Sequence, residues 1–227
     1  MQLAHAHLTR QLDLIPLENL GVPVHIIGCG AIGSFLALQL AKMGVENLTV
    51  YDMDTVSVEN MSCQFFRYKD IGKNKATALR ELVHDFTGVD IKATPQAWTA
   101  QDRMQGIVVA AVDSMKVRRD IFERCKDLFN VTALIDPRMG AEVALLYVMD
   151  PRLDYDRIAY QTTLYTDESA VQERCTAKST VYTANLLSGL CTKAIKNIIC
   201  KQAYPRVTQW GIAANEMQSF TGEAMRA

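Results

Sequence analysis

VPVHIIGCGAIGSFLALQLAKMGVENLTVYDMDTVSVENMSCQFFRYKDIGKNK, residues 22–75, is the stretch from which the rest of the chain can be read. Val22–Ile27 is an apolar run of strand length that enters Gly28-Cys29-Gly30-Ala31-Ile32-Gly33 directly. Ile32, Phe35, Leu36, Leu40 and Met43 then recur at helical spacing, and Gly44 supplies a stop. In a strand–turn–helix of this kind the first glycine allows a tight turn. The second lets backbone approach a phosphate or ribose, and the third lets helix pack on strand. The helix N-terminus offers free N–H groups and partial positive charge to an anion. A second strand, Asn47–Tyr51, ends on Asp52, at the distance where an acidic side chain takes ribose hydroxyls. The glycines alone also fit a doubly wound domain in which they serve packing only.

The residues beyond Asp52 are more specific. Asp52-Met53-Asp54, Val58-Glu59-Asn60, Gln64 and Asp70-Ile71-Gly72-Lys73-Asn74-Lys75 come in this order, succeeded by Val112-Asp113-Ser114 through Arg118 and a segment around Cys175. This ordered set resembles the ThiF/MoeB/HesA superfamily, which includes the ubiquitin-activating enzymes, and covers most of the chain. The resemblance implies an α/β, Rossmann-like, doubly wound and mostly parallel sheet with an added antiparallel C-terminal portion. It implies ATP and Mg2+ as cofactors and adenylation of the C-terminal glycine carboxylate of a ubiquitin-like or sulfur-carrier protein, or of a small peptide. It also implies a homodimer.

By the same resemblance, Gly28, Gly30, Gly33 and Asp52 hold adenosine, and Asn60 lies near ribose and phosphates. Asp54, Gln64 and Arg67 complete the nucleotide-binding set. Lys75 neutralises phosphate charge and Asp113 holds Mg2+. Relatives place an Arg-Gln before the first strand whose arginine reaches the partner subunit's ATP. Arg10-Gln11 is the counterpart here, nearer the glycine turn than usual. One departure stands out: relatives carry Arg-Gln after the asparagine, and this chain carries Cys63-Gln64. Arg67 or a partner's Arg10 is then expected to supply the missing charge. Two bland readings compete, with Lys75 as a solvated helix-start residue and Asp113 as a helix cap.

Composition narrows the classes. The chain has 227 residues, 49% of them hydrophobic, enough for one α/β domain with a sheet covered on both faces. The expected division is an N-terminal segment (1–20), a nucleotide-binding core (21–149), a mobile crossover loop (150–178), and a C-terminal helix and strand (179–227). A formal net charge of −1 argues against a nucleic-acid partner. No apolar run reaches transmembrane length and no signal-peptide pattern opens the chain, so a cytoplasmic location without a membrane partner is expected. Six scattered cysteines fit reduced thiols. None forms the Cys-x-x-Cys pairs with which many relatives bind zinc, so no zinc is expected. His5 and His7 suit a frayed terminus.

Farther along, Ala76, Leu79, Leu82, Val83 and Phe86 trace a helix ending near Gly88. Val89–Thr94, Gly106–Val112, Val131–Asp136 and Glu142–Met149 are strand candidates, the last two separated by Pro137-Arg138-Met139-Gly140. Met115–Cys125 and Thr180–Ile199 read as helices. Residues 150–174 sustain no period and read as a long surface loop with a short turn of helix at most. Arg206–Phe220 adds a terminal strand.

Cys175, in Glu173-Arg174-Cys175-Thr176-Ala177-Lys178, stands before the long helix where relatives place a cysteine that can take the acyl group. Neighbouring cations would favour its thiolate. Cys29, Cys125, Cys191 and Cys200 lie in apolar segments and read as core. Three functions remain open: the ATP-dependent activator, an NAD-dependent oxidoreductase using only Gly28–Gly33 and Asp52, and an adenylation-fold scaffold weakened by Cys63.

Overall fold

Residues 8–165 and 179–221 are described by the computed structural model. The chain runs β1 (Val24–Ile27), α1 (Ala31–Met43), β2 (Leu48–Tyr51), α2 (Lys75–Thr87), β3 (Lys92–Thr94), β4 (Gly106–Ala110) and α3 (Met115–Lys126). It continues through β5 (Val131–Gly140), β6 (Val143–Met149), α4 (Asp154–Gln161), α5 (Val181–Ile199), β7 (Val207–Gly211) and β8 (Glu216–Phe220). All eight strands join one sheet in the order β3-β2-β1-β4-β5-β6-β7-β8. Pairing is parallel from β3 to β5 and antiparallel from β5 to β8, the doubly wound sheet with an antiparallel end that the sequence leads one to expect. Strand order reverses between β1 and β4, which opens a crevice beyond their carboxyl ends.

The period-2 geometry of the strands divides the core between two faces. Ile26, Val50, Ile107 and Val109 face α1, α2 and α5, where Leu36, Leu40, Leu79, Leu187 and Ile195 pack on them. Val108, Ala110 and Leu134 face the other way, toward Ile121 and Phe122 of α3 and Tyr160 of α4. Each such aliphatic side chain contributes about 2 kcal/mol by leaving water. Helix ends obey local chemistry. Asn74, Ser114 and Thr180 cap α2, α3 and α5 through side-chain oxygens. Gly44, at φ 102°, closes α1 in the left-handed region.

Three stretches depart from the sequence reading. Pro137–Gly140 continues β5 instead of breaking it. The pairing of β4 with β5 ends at Val109 opposite Ile135, so Pro137 lies past the last β4 partner. The Pro137 carbonyl takes a bond from Arg118 on that side, so the ring nitrogen also faces away from β6 and its missing N–H costs no ladder bond. Residues 154–161, expected as loop, form α4. Its inward positions are Asp156 and Tyr160, one charged and one aromatic, too few apolar residues to show a helical period. Asp156 accepts from Asp150 N–H at 2.7 Å and pairs with Arg206 at 2.9 Å. The end of the chain forms two strands, a β7–β8 hairpin, where one was expected. Cys29, Cys125 and Cys191 are buried as anticipated, while Cys200 is only half-buried at the end of α5.

His25, on β1, is buried with its Nδ1 3.3 Å from the Tyr51 hydroxyl. Burial first, then the charge of Lys92, pull its pKa from 6.5 to about 4, against an opposing pull from Asp102. The unfolded chain therefore takes up a proton at higher pH than the folded one. Stability contributed by neutral His25 is complete above pH 6.5 and is lost as pH falls toward 4, about 3 kcal/mol in all. Urea titrations across this window should show a steeper loss of stability for the parent than for His25→Gln. Equal slopes would contradict the assignment.

Candidate functional site

The glycine turn is built by close approach. A Cβ on Gly33 would lie 1.9 Å from the Gly28 carbonyl oxygen, and one on Gly28, at φ 98°, would lie 2.3 Å from that of Ala111. The turn therefore abuts the chain leaving β4, two residues before Asp113. A Cβ on Gly30 would meet nothing within 4 Å, so this middle glycine opens onto free space of the kind a phosphate or sugar fills.

Asp52 ties the turn to β2. Its Oδ2 accepts from Cys29 N–H at 2.7 Å and its Oδ1 from Asp54 N–H at 2.8 Å. Burial raises its pKa, while these two bonds and the charge of Lys75 pull the other way. Asp54, more exposed, holds Lys75 Nζ at 2.9 Å. Lys75 is 8% exposed, so the reading of a solvated helix-start lysine does not hold. One line of contacts thus runs from the β4 exit through Gly28, Asp52 and Asp54 to Lys75, across the carboxyl ends of β4, β1 and β2.

Asp113 stands exposed after β4. The cap of α3 is Ser114, whose Oγ accepts from Val117 N–H at 3.3 Å, so Asp113 is not spent on that duty. Among the described residues no three acids, histidines or cysteines group as a metal cage. A nucleotide-bound Mg2+ needs no cage, because phosphates and water complete its shell beside one or two carboxylates. Asp113 fits that need.

Residues 60–65 pass over the start of α1, where Phe65 N–H donates to Ser34 Oγ at 3.0 Å. Asn60 Oδ1 accepts from Ser57 N–H at 3.0 Å. Gln64 Oε1 is buried without a hydrogen-bond partner among the described residues. Cys63 is half-buried beside it. Arg67 is placed elsewhere: its guanidinium bonds Asp70 at 2.8 and 2.9 Å and Asp85 at 2.6 Å. Burial pushes the fully buried Asp70 carboxyl up, but the Arg67 bonds overcome it and hold the pKa below its usual value. Arg67 is thereby committed to the fold. Arg10 is exposed, and Gln11 Nε2 donates to Met43 O at the far end of α1. That is roughly 20 Å along the helix from its own glycine turn. Cys175 and its neighbours lie outside the described residues.

The sequence reading missed a buried charge cluster behind Asp113. Arg118 bonds the carbonyls of Ala110 and Pro137 at 3.1 and 3.3 Å, reaches that of Val112, and pairs with Asp136. Arg138 at 2.7 Å and the Tyr160 hydroxyl at 2.8 Å complete the shell of Asp136. Burial and then Arg138 pull the pKa of Arg118 down to about 10, which leaves it charged at neutral pH. Through Ala110 and Val112 it shapes the turn that presents Asp113. Arg119 and Arg138 hold the carbonyls of Leu164 and Thr163, so both arginines anchor the root of the segment that leads to Cys175.

Arg67→Ala should lower stability by roughly 3 kcal/mol, because it strips a buried carboxylate of its main partner. Nucleotide affinity of the folded fraction should stay unchanged. Chemical denaturation and nucleotide titration on the same protein separate the two, and a selective loss of affinity would return Arg67 to the site.

The sequence and the fold resemble those of known proteins. The sequence model described as the ThiF family matches residues 17–225. The NEDD8-activating enzyme E1 catalytic subunit of Dictyostelium discoideum is 36% identical over 104 residues, which is 42% of this chain and 23% of that protein. The chain thus matches about a quarter of that relative's length. Among solved structures, E. coli MccB with AMPCPP and MccA superposes with a TM-score of 0.74 at 17% identity, covering 92% of this chain and 66% of that one. E. coli MccB with ATP gives 0.73 at 16%, covering 90% and 65%.

Proposed function

Because this chain belongs to the ThiF family, we propose that it uses ATP and Mg2+ to adenylate the C-terminal carboxylate of a polypeptide. The favoured substrate is a ubiquitin-like or sulfur-carrier protein ending in glycine, or a small peptide, and the enzyme works as a homodimer in the cytoplasm. The observation that carries this reading is the contact line from the β4 exit through Gly28 and Asp52 to Lys75. It sets the Asp52 carboxylate, the Lys75 ammonium and the exposed Asp113 carboxylate around one crevice. A relative named for NEDD8 activation and a neighbour crystallised with MccA support a polypeptide as second substrate.

In this mechanism Asp52 accepts the ribose hydroxyls, and the space over Gly30 takes the phosphates at the start of α1. Lys75 leaves Asp54 for phosphate oxygen. Asp113 would hold Mg2+, which would supply positive charge against the triphosphate. A carboxylate oxygen of the substrate bonds to the α-phosphorus as the bond to the bridging oxygen breaks, and pyrophosphate leaves with that electron pair. Two anions meet in this step, so cations and alignment matter more than proton transfer. Arg10 of a second copy supplies a further charge, since it stands far from the turn in its own chain. Acyl transfer to Cys175 comes as a separate step.

ATP–pyrophosphate exchange in the presence of a glycine-terminated carrier is the direct test. The parent should exchange, and should bind MgATP but not NAD. Asp113→Asn and Lys75→Ala should each reduce exchange by about 100-fold. Asp113→Asn should leave thermal unfolding unchanged because the residue is exposed. Cys175→Ser should retain exchange and lose the thiol-sensitive carrier adduct. NAD binding without MgATP binding would overturn the assignment.

Cys63 supports a second reading, a fold that binds nucleotide with weakened chemistry, since Arg67 is engaged by Asp70 and Asp85. The Cys63→Arg variant distinguishes them: a large rise in exchange over an inactive parent favours the weakened fold, and little change over an active parent favours the enzyme.

A further inference from the structure

We infer that Asn74 is a positioning residue that sets Asp52 and Lys75 in one register for the nucleotide, an inference that rests on the adenylation reading above. The capping duty of Asn74 is ordinary: its Oδ1 accepts from Thr77 N–H at 3.1 Å at the start of α2. Its amide nitrogen does something a serine, threonine or aspartate cap could not. Nδ2 donates to the carbonyl of Asp52 at 2.8 Å and to that of Asp54 at 3.1 Å. Among side chains that cap helices well, asparagine alone carries an acceptor and an NH2 group together.

These bonds close a frame. Lys75 N–H donates to the Asp54 carbonyl at 2.8 Å, and Thr55 and Asn74 form an isolated antiparallel bridge. Asp52, whose carboxylate grips Cys29 and Asp54, therefore has its own carbonyl held by the residue that begins α2. The next residue is Lys75. A ribose acceptor after β2 and a phosphate cation on α2, far apart in sequence, are spaced by one side-chain amide. Both groups must meet one nucleotide, and displacement of about 1 Å is enough to impair such an alignment.

The substitutions separate cap from clamp. Asn74→Ser keeps the cap and removes both donors. Asn74→Asp keeps the cap and turns a carboxylate oxygen toward two carbonyl oxygens, and Asn74→Ala removes both functions. Thermal unfolding, MgATP affinity by calorimetry, and KM and kcat for exchange are measured on the full chain. Asn74→Ser should melt near the parent temperature yet bind MgATP about tenfold more weakly. Asn74→Asp should be weaker still in binding, and KM for ATP should rise in both. A purely structural cap would change KM in neither, and only Asn74→Ala would lose stability. Asn74→Ser and Asn74→Asp binding MgATP as the parent does would overturn this inference alone. A parent that fails to bind MgATP would overturn the adenylation reading and this inference with it.

Discussion

The carboxylate of Asp52, gripping the backbone N–H groups of Cys29 and Asp54, is the contact on which the geometry of the crevice depends. β1 and β2 would lie side by side without it, since their ladder runs from Val24–Leu48 to Ile27–Tyr51. One more backbone bond, Gly28 N–H to the Tyr51 carbonyl at 2.9 Å, follows the ladder, and beyond it the two exits need a further tie. Asp52 spans that gap with charge-assisted bonds, stronger than neutral ones. The same carboxylate shapes the crevice and keeps lone pairs beyond those two bonds.

On the other side of the glycine turn, burial of charge performs a comparable task. Asp136 has no exposed surface and is balanced by Arg118 and Arg138. Such a cluster is a weak source of stability, because desolvation offsets most of the attraction. Its value is geometric: Arg118 has hydrogen bonds to the Ala110 and Val112 carbonyls at the exit of β4 and to the Pro137 carbonyl within β5, so the turn before Asp113 and β5 cannot shift independently. Polar anchoring also explains α4, which docks through Asp156 and Tyr160 instead of an apolar stripe.

How much could be read from the sequence depends on how local each signal is. The places of the glycine turn, Asp52, Lys75 and Asp113 in the fold were legible because each sits at a strand end or helix start marked by its neighbours. The doubly wound sheet was legible because β1, β2 and β4 are apolar and separated by helical periods. Pro137 misled because a proline's tolerance depends on which side of the strand has a partner. Arg67 misled because Asp70 and Asp85 claim it through folding, and Asp85 lies 18 residues farther along the chain, beyond any local pattern. The Arg118–Asp136–Arg138 cluster joins a helix to two strand positions, a relation that spacing alone does not carry.

Burial of Cys29, Cys125 and Cys191 gives the molecule a set of silent reporters. Each thiol is held up in pKa by desolvation, Cys125 to about 12, so each is protonated as well as inaccessible in the folded state. They are spread over the glycine turn, α3 on one face of the sheet and α5 on the other. Opening of any one of these regions exposes its sulfur while the others remain hidden. The rates at which the thiols become modifiable therefore read out, region by region, whether the two faces and the crevice come apart together or in sequence.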